Sequence, residues 1–421
     1  MHPLSAMAGL NAVGFLARFS YALARNPVLP LFALFLGAGP EAVGLAVGIS
    51  TVTGIFFKMP AGALSDVVGR KRTMLAGLFV FGLLPFAYLF ITSYEALVAV
   101  RFVHGLATAI YGPVAMAVVA EMAGIRRGEM LSWFSSVMIV GTLLGAPLGG
   151  FMLHHAPGAQ APGLWDFRLV FLVSGAAGMA ALLLGLWLLR GPERLADAGT
   201  SLAERLARFR QGIREVVADR RVLLTSAMEG VQNMGMGALE AFLPVYAVTR
   251  AGLNELEAGM LWAVQIAVTM VAKPVLGRLG DTHGRKAPIT LGLACCAVGL
   301  AAVPWLASFW TLAVAALIFG LGEALVTSSS AALVADLCRK RHYGAAMGTF
   351  GTIFDVGHAS GPILGGVLVA WLDFRLAFAI LAVVLLAAIL VFLAGVSLDD
   401  LSNDNSNDND GGNANDRAAS A

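Results

Sequence analysis

Apolar stretches long enough to cross a bilayer recur twelve times along this chain, and that pattern leaves little room for a water-soluble fold. A spanning helix needs about 20 mostly apolar residues to cover roughly 30 Å of hydrocarbon at about 1.5 Å per residue. The spans are expected at 9–37, 41–64, 73–92, 95–122, 128–154 and 168–190, then at 222–250, 255–279, 288–307, 310–337, 342–370 and 375–397. With 58% hydrophobic and 13% charged residues and a mean hydropathy of +0.80, the 421 residues also carry too little polar material to coat a water-facing surface. The expected fold class is an all-α membrane protein of twelve transmembrane helices.

The net charge of +2 says little, but its distribution orients the chain. Arg70, Lys71, Arg72, Arg126, Arg127, Arg285, Lys286 and the 339–341 run all fall on one side, together with the basic segment 190–221. By the positive-inside rule that side is cytoplasmic, which puts both termini there and the protein in the cell's inner membrane. The opposite loops carry Glu41, Glu95, Asp166, Glu255 and Asp373. Residues 1–8 lack Lys or Arg and a small-residue cleavage site, so no removable signal peptide is expected. Cys295, Cys296 and Cys338 have neither a disulfide framework nor metal-ligand spacing.

An internal repeat defines the architecture. Gly62, Asp66, Gly69 and Arg70 recur as Gly277, Asp281, Gly284 and Arg285, each 215 positions later (277 − 62 = 215). Lys58 and Glu121 recur as Lys273 and Asp336 at that offset, and Gly145 and Gly150 as Gly361 and Gly366 at 216. Asp166-Phe167-Arg168-Leu169 returns as Asp373-Phe374-Arg375-Leu376. Two pseudo-symmetric six-helix bundles follow, residues 1–190 and 222–397, as expected of a carrier whose halves rock about a central site. Between them, 191–221 reads as a mixed-charge cytoplasmic linker; the Asp/Asn/Ser-rich tail 398–421 cannot bury apolar surface and reads as disordered.

The run from Gly62 through Asp66 and Gly69 to Arg72 resembles the signature loop between helices 2 and 3 of the major facilitator superfamily. Arg101-Phe-Val-His104-Gly105 resembles that family's helix 4 motif, and Gly141 through Gly145, Pro147 and Gly149 to Gly150 its helix 5 antiporter motif. The resemblance covers about residues 9–397, and within that family the chain resembles the twelve-helix drug/proton antiporter group. Two positions depart from it: Val67 and Thr282 stand where a basic residue is usual, and His104 where Gln is usual. The resemblance implies a cytoplasmic gate of Asp66, Arg70 and Glu121, repeated as Asp281, Arg285 and Asp336. A carboxylate at a helix N-terminus gains about 0.3–1 kcal/mol, so these residues also make sense as topology and capping signals alone. It further implies antiport from the helix 5 run and proton handling at Arg101. The glycines one turn apart on one face also suit close packing without any direction of transport.

Ionisable residues inside spans are costly and are functional candidates for that reason. They segregate: Arg18, Arg25, Arg101 and His104 in the first half, Glu229, Glu240, Glu323, Asp355 and His358 in the second. Arg25 and Glu240 occupy equivalent repeat positions (240 − 25 = 215), which predicts a charge pair across one cavity. Protonating Glu240 would break that pair and change the preferred bundle arrangement; a static structural ion pair is the competing reading. Arg101 stays protonated and would act by tuning Glu323 or Glu240. Asp355 and His358, one turn apart, would bind a proton together or merely line a break at Pro362. Arg18, Tyr21, His104, Glu229 and Asn233 complete the cavity candidates. Lys58 and Lys273 read as snorkelling to the interface. Trp262, Phe242, Met234, Met236 and Tyr246 either line an apolar cavity or pack in the core.

These readings converge on a proton-coupled exporter of small amphiphilic or drug-like compounds. The alternatives are an importer or exchanger of an anionic metabolite, for which three uncompensated arginines would speak, and a non-transporting sensor on the same fold. No Walker-type loop and no nucleophile or metal spacing occurs, so an enzyme, a cofactor and ATP hydrolysis are not expected. The expected partners are a small solute, protons and the bilayer, with no nucleic acid; since one chain holds both halves, a monomer suffices.

Overall fold

The computed structural model describes residues 3–123, 126–154, 161–190, 207, 214, 219–337 and 343–395. Most of the linker 191–221, the 339–341 basic run, Cys338, the tail 398–421 and the side chains of Asp66 and Asp281 lie outside the described residues.

The described chain is built from α-helices: α1 Pro3–Leu23, α2 Val28–Phe35, α3 Pro40–Val68, α4 Arg70–Ala87, α5 Tyr94–Ala123, α6 Arg127–His154 and α7 Leu164–Leu188. The second half holds α8 Arg220–Thr249, α9 Glu255–His283, α10 Lys286–Ala302, α11 Phe309–Leu337, α12 Tyr343–Trp371 and α13 Phe374–Gly395. Among the described residues, ten helices are long and apolar enough to cross a membrane. Twelve crossings result when α1 with α2 counts as the first and α8 as the seventh. Those two crossings are the polar ones, carrying Arg18, Arg25, Glu229 and Glu240.

Span 9–37 is divided rather than continuous. The helix stops at Leu23 and restarts at Val28 after Pro27, which has no N–H to donate and disfavours helical geometry at Asn26. The interruption leaves Arg25 and Asn26 at the centre of the molecule. Span 41–64 runs on to Val68, where Gly69 ends it at φ 113°, and the equivalent Gly284 ends α9 at φ 82°. Only glycine enters that region cheaply, which is why the repeat carries it at both places.

In the first bundle α1 packs on α6 and α7, and α3 on α5. The second bundle repeats the scheme, with α8 on α12 and α9 on α11. Gly141, Gly145 and Gly149 of α6 lie against α1 and its break: a Cβ on Gly141 would come within 3.0 Å of the Phe15 oxygen, and one on Gly149 within 2.8 Å of the Leu23 oxygen. Gly357 and Gly361 of α12 lie closer still to the Gly230 and Met234 backbone of α8.

The bundles meet along α3–α12 and α6–α9. Their close crossings cluster at one end of the molecule: Gly44 against Pro362, Gly366 against Pro40, Gly150 against Glu255, and Gly259 against Ala146 and Pro147. Toward the other end, where Gly69 and Gly284 lie, an added Cβ would meet nothing within 4 Å at Gly62 or Gly351. The halves are therefore closed at the Pro40/His154 end and parted toward the Gly69/Gly284 end.

Candidate functional site

A cavity of about 330 Å³ lies between the parted bundles, and both supply its walls. Its lining follows the repeat. Arg18 and Asn233, Arg25 and Glu240, Ser50 and Gln265, Lys58 and Lys273, and Thr108 and Glu323 are pairs separated by the 215-residue offset, and all ten residues line it.

Below the closed end, Arg25 bridges the halves. Its Nε lies 2.5 Å from Glu240 Oε1 and its Nη2 donates to Glu240 Oε2 at 2.8 Å. His358 Nε2 lies 3.0 Å from the same Oε2 and 3.1 Å from Arg25 Nη2. When Nε2 carries a proton it donates to Glu240; when it does not, it accepts from Arg25. Asn26 Nδ2 donates to the Glu240 backbone oxygen at 3.0 Å, a further link between the break after α1 and the body of α8.

Lys58 makes a second bridge. Its Nζ donates to both carboxylate oxygens of Asp355, at 2.7 and 2.6 Å, across α3 and α12. It turns into the cavity instead of snorkelling, because the buried carboxylate of Asp355 stands opposite it. Asp355 and His358 consequently do not share a proton: one faces Lys58, the other Glu240. Lys58→Met should therefore lower stability by about 1–2 kcal/mol, a buried-pair loss discounted because the lysine is half exposed. Adding Asp355→Asn should recover most of it, as read by detergent-denaturation midpoints.

Arg101 is 1% exposed and bonds no carboxylate; its Nη2 donates to Ser50 Oγ at 2.6 Å and to Tyr21 Oη at 3.3 Å, and its Nε to the Ala46 oxygen at 3.3 Å. Tyr21 and Ser50 stand at the guanidinium, so any influence of Arg101 on Glu240 or Glu323 acts through space and not through a hydrogen bond. Tyr21 is the hub of the first wall, with the guanidinium carbons of Arg18, Arg25 and Arg101 at 5.8, 5.4 and 5.4 Å from its ring centre. His104 is fully buried behind this wall, its Nδ1 3.0 Å from Tyr88 Oη, and does not line the cavity.

In the second wall Glu323 takes hydrogen bonds from Gln265 Nε2 and, at 3.1 Å, from Thr269 Oγ1, with Lys273 Nζ 3.9 Å away. Glu229 lies deeper, outside the cavity lining, accepting from Ser330 Oγ at 2.7 Å and Asn233 Nδ2 at 3.2 Å. Of the apolar candidates, Trp262 and Met236 line the cavity; Phe242, Met234 and Tyr246 belong to the core, Phe242 and Tyr246 against Phe374.

The gate candidates form pairs within bundles. Arg70 Nη1 is 2.9 Å from Glu121 Oε1, joining α4 to α5, and Arg285 Nε is 3.4 Å from Asp336 Oδ2, joining α10 to α11. Neither described pair crosses the cavity. Sequence reasoning passed over Ser50, Gln265, Thr142 and Thr269, although Ser50 and Gln265 stand at the repeat offset that exposed Arg25 and Glu240.

Two repeated helical bundles, closed on each other at one end and enclosing a charged cavity at mid-depth, are the framework of a membrane carrier that moves solutes. The chain belongs to the Major Facilitator Superfamily, whose family profile matches residues 10–272 and 234–415. It is 23% identical over 350 residues to an uncharacterised transporter of this family from Methanocaldococcus jannaschii, covering 81% of this chain and 86% of that one. It is 28% identical over 249 residues to the multidrug transporter MdfA of Yersinia pestis, covering 59% of this chain and 58% of that protein's length. It is 20% identical over 352 residues to the quinolone resistance protein NorA of Staphylococcus aureus, covering 81% and 84%. The fold is that of the nucleoside transporter NupG, with a TM-score of 0.75 at 13% identity over 93% of this chain and 100% of that one. It is likewise that of a D-xylose-proton symporter, with a TM-score of 0.74 at 17% identity over 94% and 98%.

Proposed function

We propose that this transporter exports small amphiphilic compounds in exchange for protons, from the inner membrane and as a monomer with both termini in the cytoplasm. The observation that carries the reading is the Arg25–Glu240–His358 bridge. It joins the two bundles between the cavity and the closed end, so that end opens only when the bridge is broken. Arg25 remains charged at any physiological pH. Glu240 can take up a proton, and neutralising it removes the attraction that holds the bundles together there. A proton arriving from outside would thus favour one bundle arrangement and its release the other, with substrate occupying the shared cavity in between.

The paired character of the cavity supports export over uptake of a simple anion: Arg25 and Lys58 are each neutralised by a carboxylate of the opposite bundle. The helix 5 glycine run and the similarity to MdfA and NorA point the same way. The basic loops around Arg70 and Arg285 favour a cytoplasmic position for the parted end. Proton release from the purified protein in detergent, on adding tetraphenylphosphonium, neutral aromatic drugs and aromatic carboxylates in turn, tests the reading. Release by at least one amphiphile and its loss in Glu240→Gln is the expected result. Silence across the panel, or undiminished release in the variant, refutes it.

A further inference from the structure

The cavity is electrically lopsided. The ionised side chains lining it include four cations, Arg18, Arg25, Lys58 and Lys273, against three carboxylates, Glu240, Asp355 and Glu323. Arg25 is consumed by Glu240 at 2.5 Å and Lys58 by Asp355 at 2.6 Å. Lys273 lies 3.9 Å from Glu323. Arg18 is the cation left over. Its Nε donates to Thr142 Oγ1 at 3.0 Å, a neutral acceptor that fixes the guanidinium without cancelling its charge. Tyr21, its other neighbour, offers only a ring face, already shared with Arg25 and Arg101.

The groups behind the walls accentuate this. Arg101, buried behind Tyr21, bonds only hydroxyls and a backbone oxygen, adding positive charge to the first wall. On the far side the uncancelled buried group is a carboxylate, Glu229, held by Ser330 and Asn233. A solute in the cavity thus meets a cationic first wall and a second wall whose apolar lining includes Trp262, Ile266, Met236, Met270 and Phe354.

We infer that the preferred substrate is an amphiphile bearing an acidic group, with its carboxylate docked on Arg18 and its apolar body against the Trp262 wall. A guanidinium whose Nε is already anchored presents its two Nη groups as a ready fork for a carboxylate, the geometry in which Arg binds most selectively. The paired residues cannot serve this purpose, because taking Arg25 or Lys58 would strand a buried carboxylate. The inference rests on the cavity being the transport site, and it narrows the amphiphiles exported to those that carry an acid.

Calorimetric titration of the full chain in a nonionic detergent with 2-naphthoate, 2-naphthamide and 2-naphthylmethylammonium tests it, since the ring is common and only the head group changes. A charge-assisted fork predicts that naphthoate binds on the order of tenfold or more tighter than the amide. Arg18→Gln should bring the two to near equality by weakening naphthoate far more than the amide, and Arg18→Lys should restore part of the preference. Thr142→Val, which frees the guanidinium without removing it, should shrink the preference by a few-fold and serves if Arg18→Gln does not fold. Equal binding of naphthoate and amide by the parent protein, tightest binding by the ammonium, binding by none, or a preference that survives Arg18→Gln each overturns the inference. Proton release by the ammonium or amide with no advantage for naphthoate would sink this assignment while leaving proton-coupled export standing.

Discussion

Arg25→Ala should cost more stability than replacing both partners of its bridge. The single change leaves Glu240, only 4% exposed, with His358 and without its guanidinium, and stranding one member of a buried pair typically costs about 3–5 kcal/mol. The presence of His358 3.0 Å away puts this case at the lower bound, about 3 kcal/mol. The double variant Arg25→Gln with Glu240→Gln removes the charge and its counter-charge together and keeps hydrogen-bonding groups in place. It should fall within about 1 kcal/mol of the parent, since a buried pair seldom outperforms a neutral replacement. Unfolding free energies of the parent, Arg25→Gln, Glu240→Gln and the double variant close a cycle that gives the coupling energy. The functional half of the prediction is sharper: the stable double variant should bind amphiphiles yet release no protons. A double variant that still couples would show that the bridge is structural and that the exchanged proton resides elsewhere, with Asp355, Glu323 and Glu229 the buried or cavity-lining carboxylates left among the described residues of the second bundle.

The architecture was legible because two physical signals in the chain are strong. Spans of about 20 apolar residues leave few alternatives to membrane helices. The 215-residue repeat then implies two like bundles, and with them Arg25 and Glu240 at one depth. The same repeat carried more than was read from it: Ser50 with Gln265 and Thr108 with Glu323 are offset identically and line the same cavity. What spacing does not encode is which neighbouring helix a side chain meets. Asp355 and His358 sit one turn apart on α12, yet one meets Lys58 of α3 and the other Glu240 of α8. The permanent charge of Arg101 suggests a carboxylate for it to tune, but not which groups stand against the guanidinium itself. Two hydroxyls and a carbonyl take that place, and none of the three stands out in a sequence. The break at Ala24–Pro27 was hidden for a related reason: Pro27 is tolerated inside many membrane helices, and only packing decides whether the helix bends or stops.

Adding a single methyl group at Gly44 or Gly150 should shift the protein toward the state open at the Pro40/His154 end, whereas the same change at Gly357 or Gly361 should weaken the fold itself. All four glycines admit a neighbouring backbone so closely that an alanine Cβ would collide with a carbonyl oxygen. The neighbours differ in kind. Gly44 faces Pro362 and Gly150 faces Glu255, each across the bundle interface, in contacts that exist only while this end is closed. Gly357 faces Gly230 and Gly361 faces Met234, inside one bundle whose packing rocking would preserve. Overpacking costs about 1–3 kcal/mol. Charged to one end state alone, that changes the population ratio by a factor of about 5–150. Charged to both states, it leaves the ratio alone and lowers the unfolding midpoint. Spin labels at the exposed positions Ala161 and Trp371, one in each bundle at the closed end, should report a longer distance in Gly44→Ala and Gly150→Ala with little loss of stability. Gly357→Ala and Gly361→Ala should keep the parent distance and denature earlier. If all four variants behaved alike, the closed end would be a fixed part of the fold, and alternating access would need a different pair of surfaces.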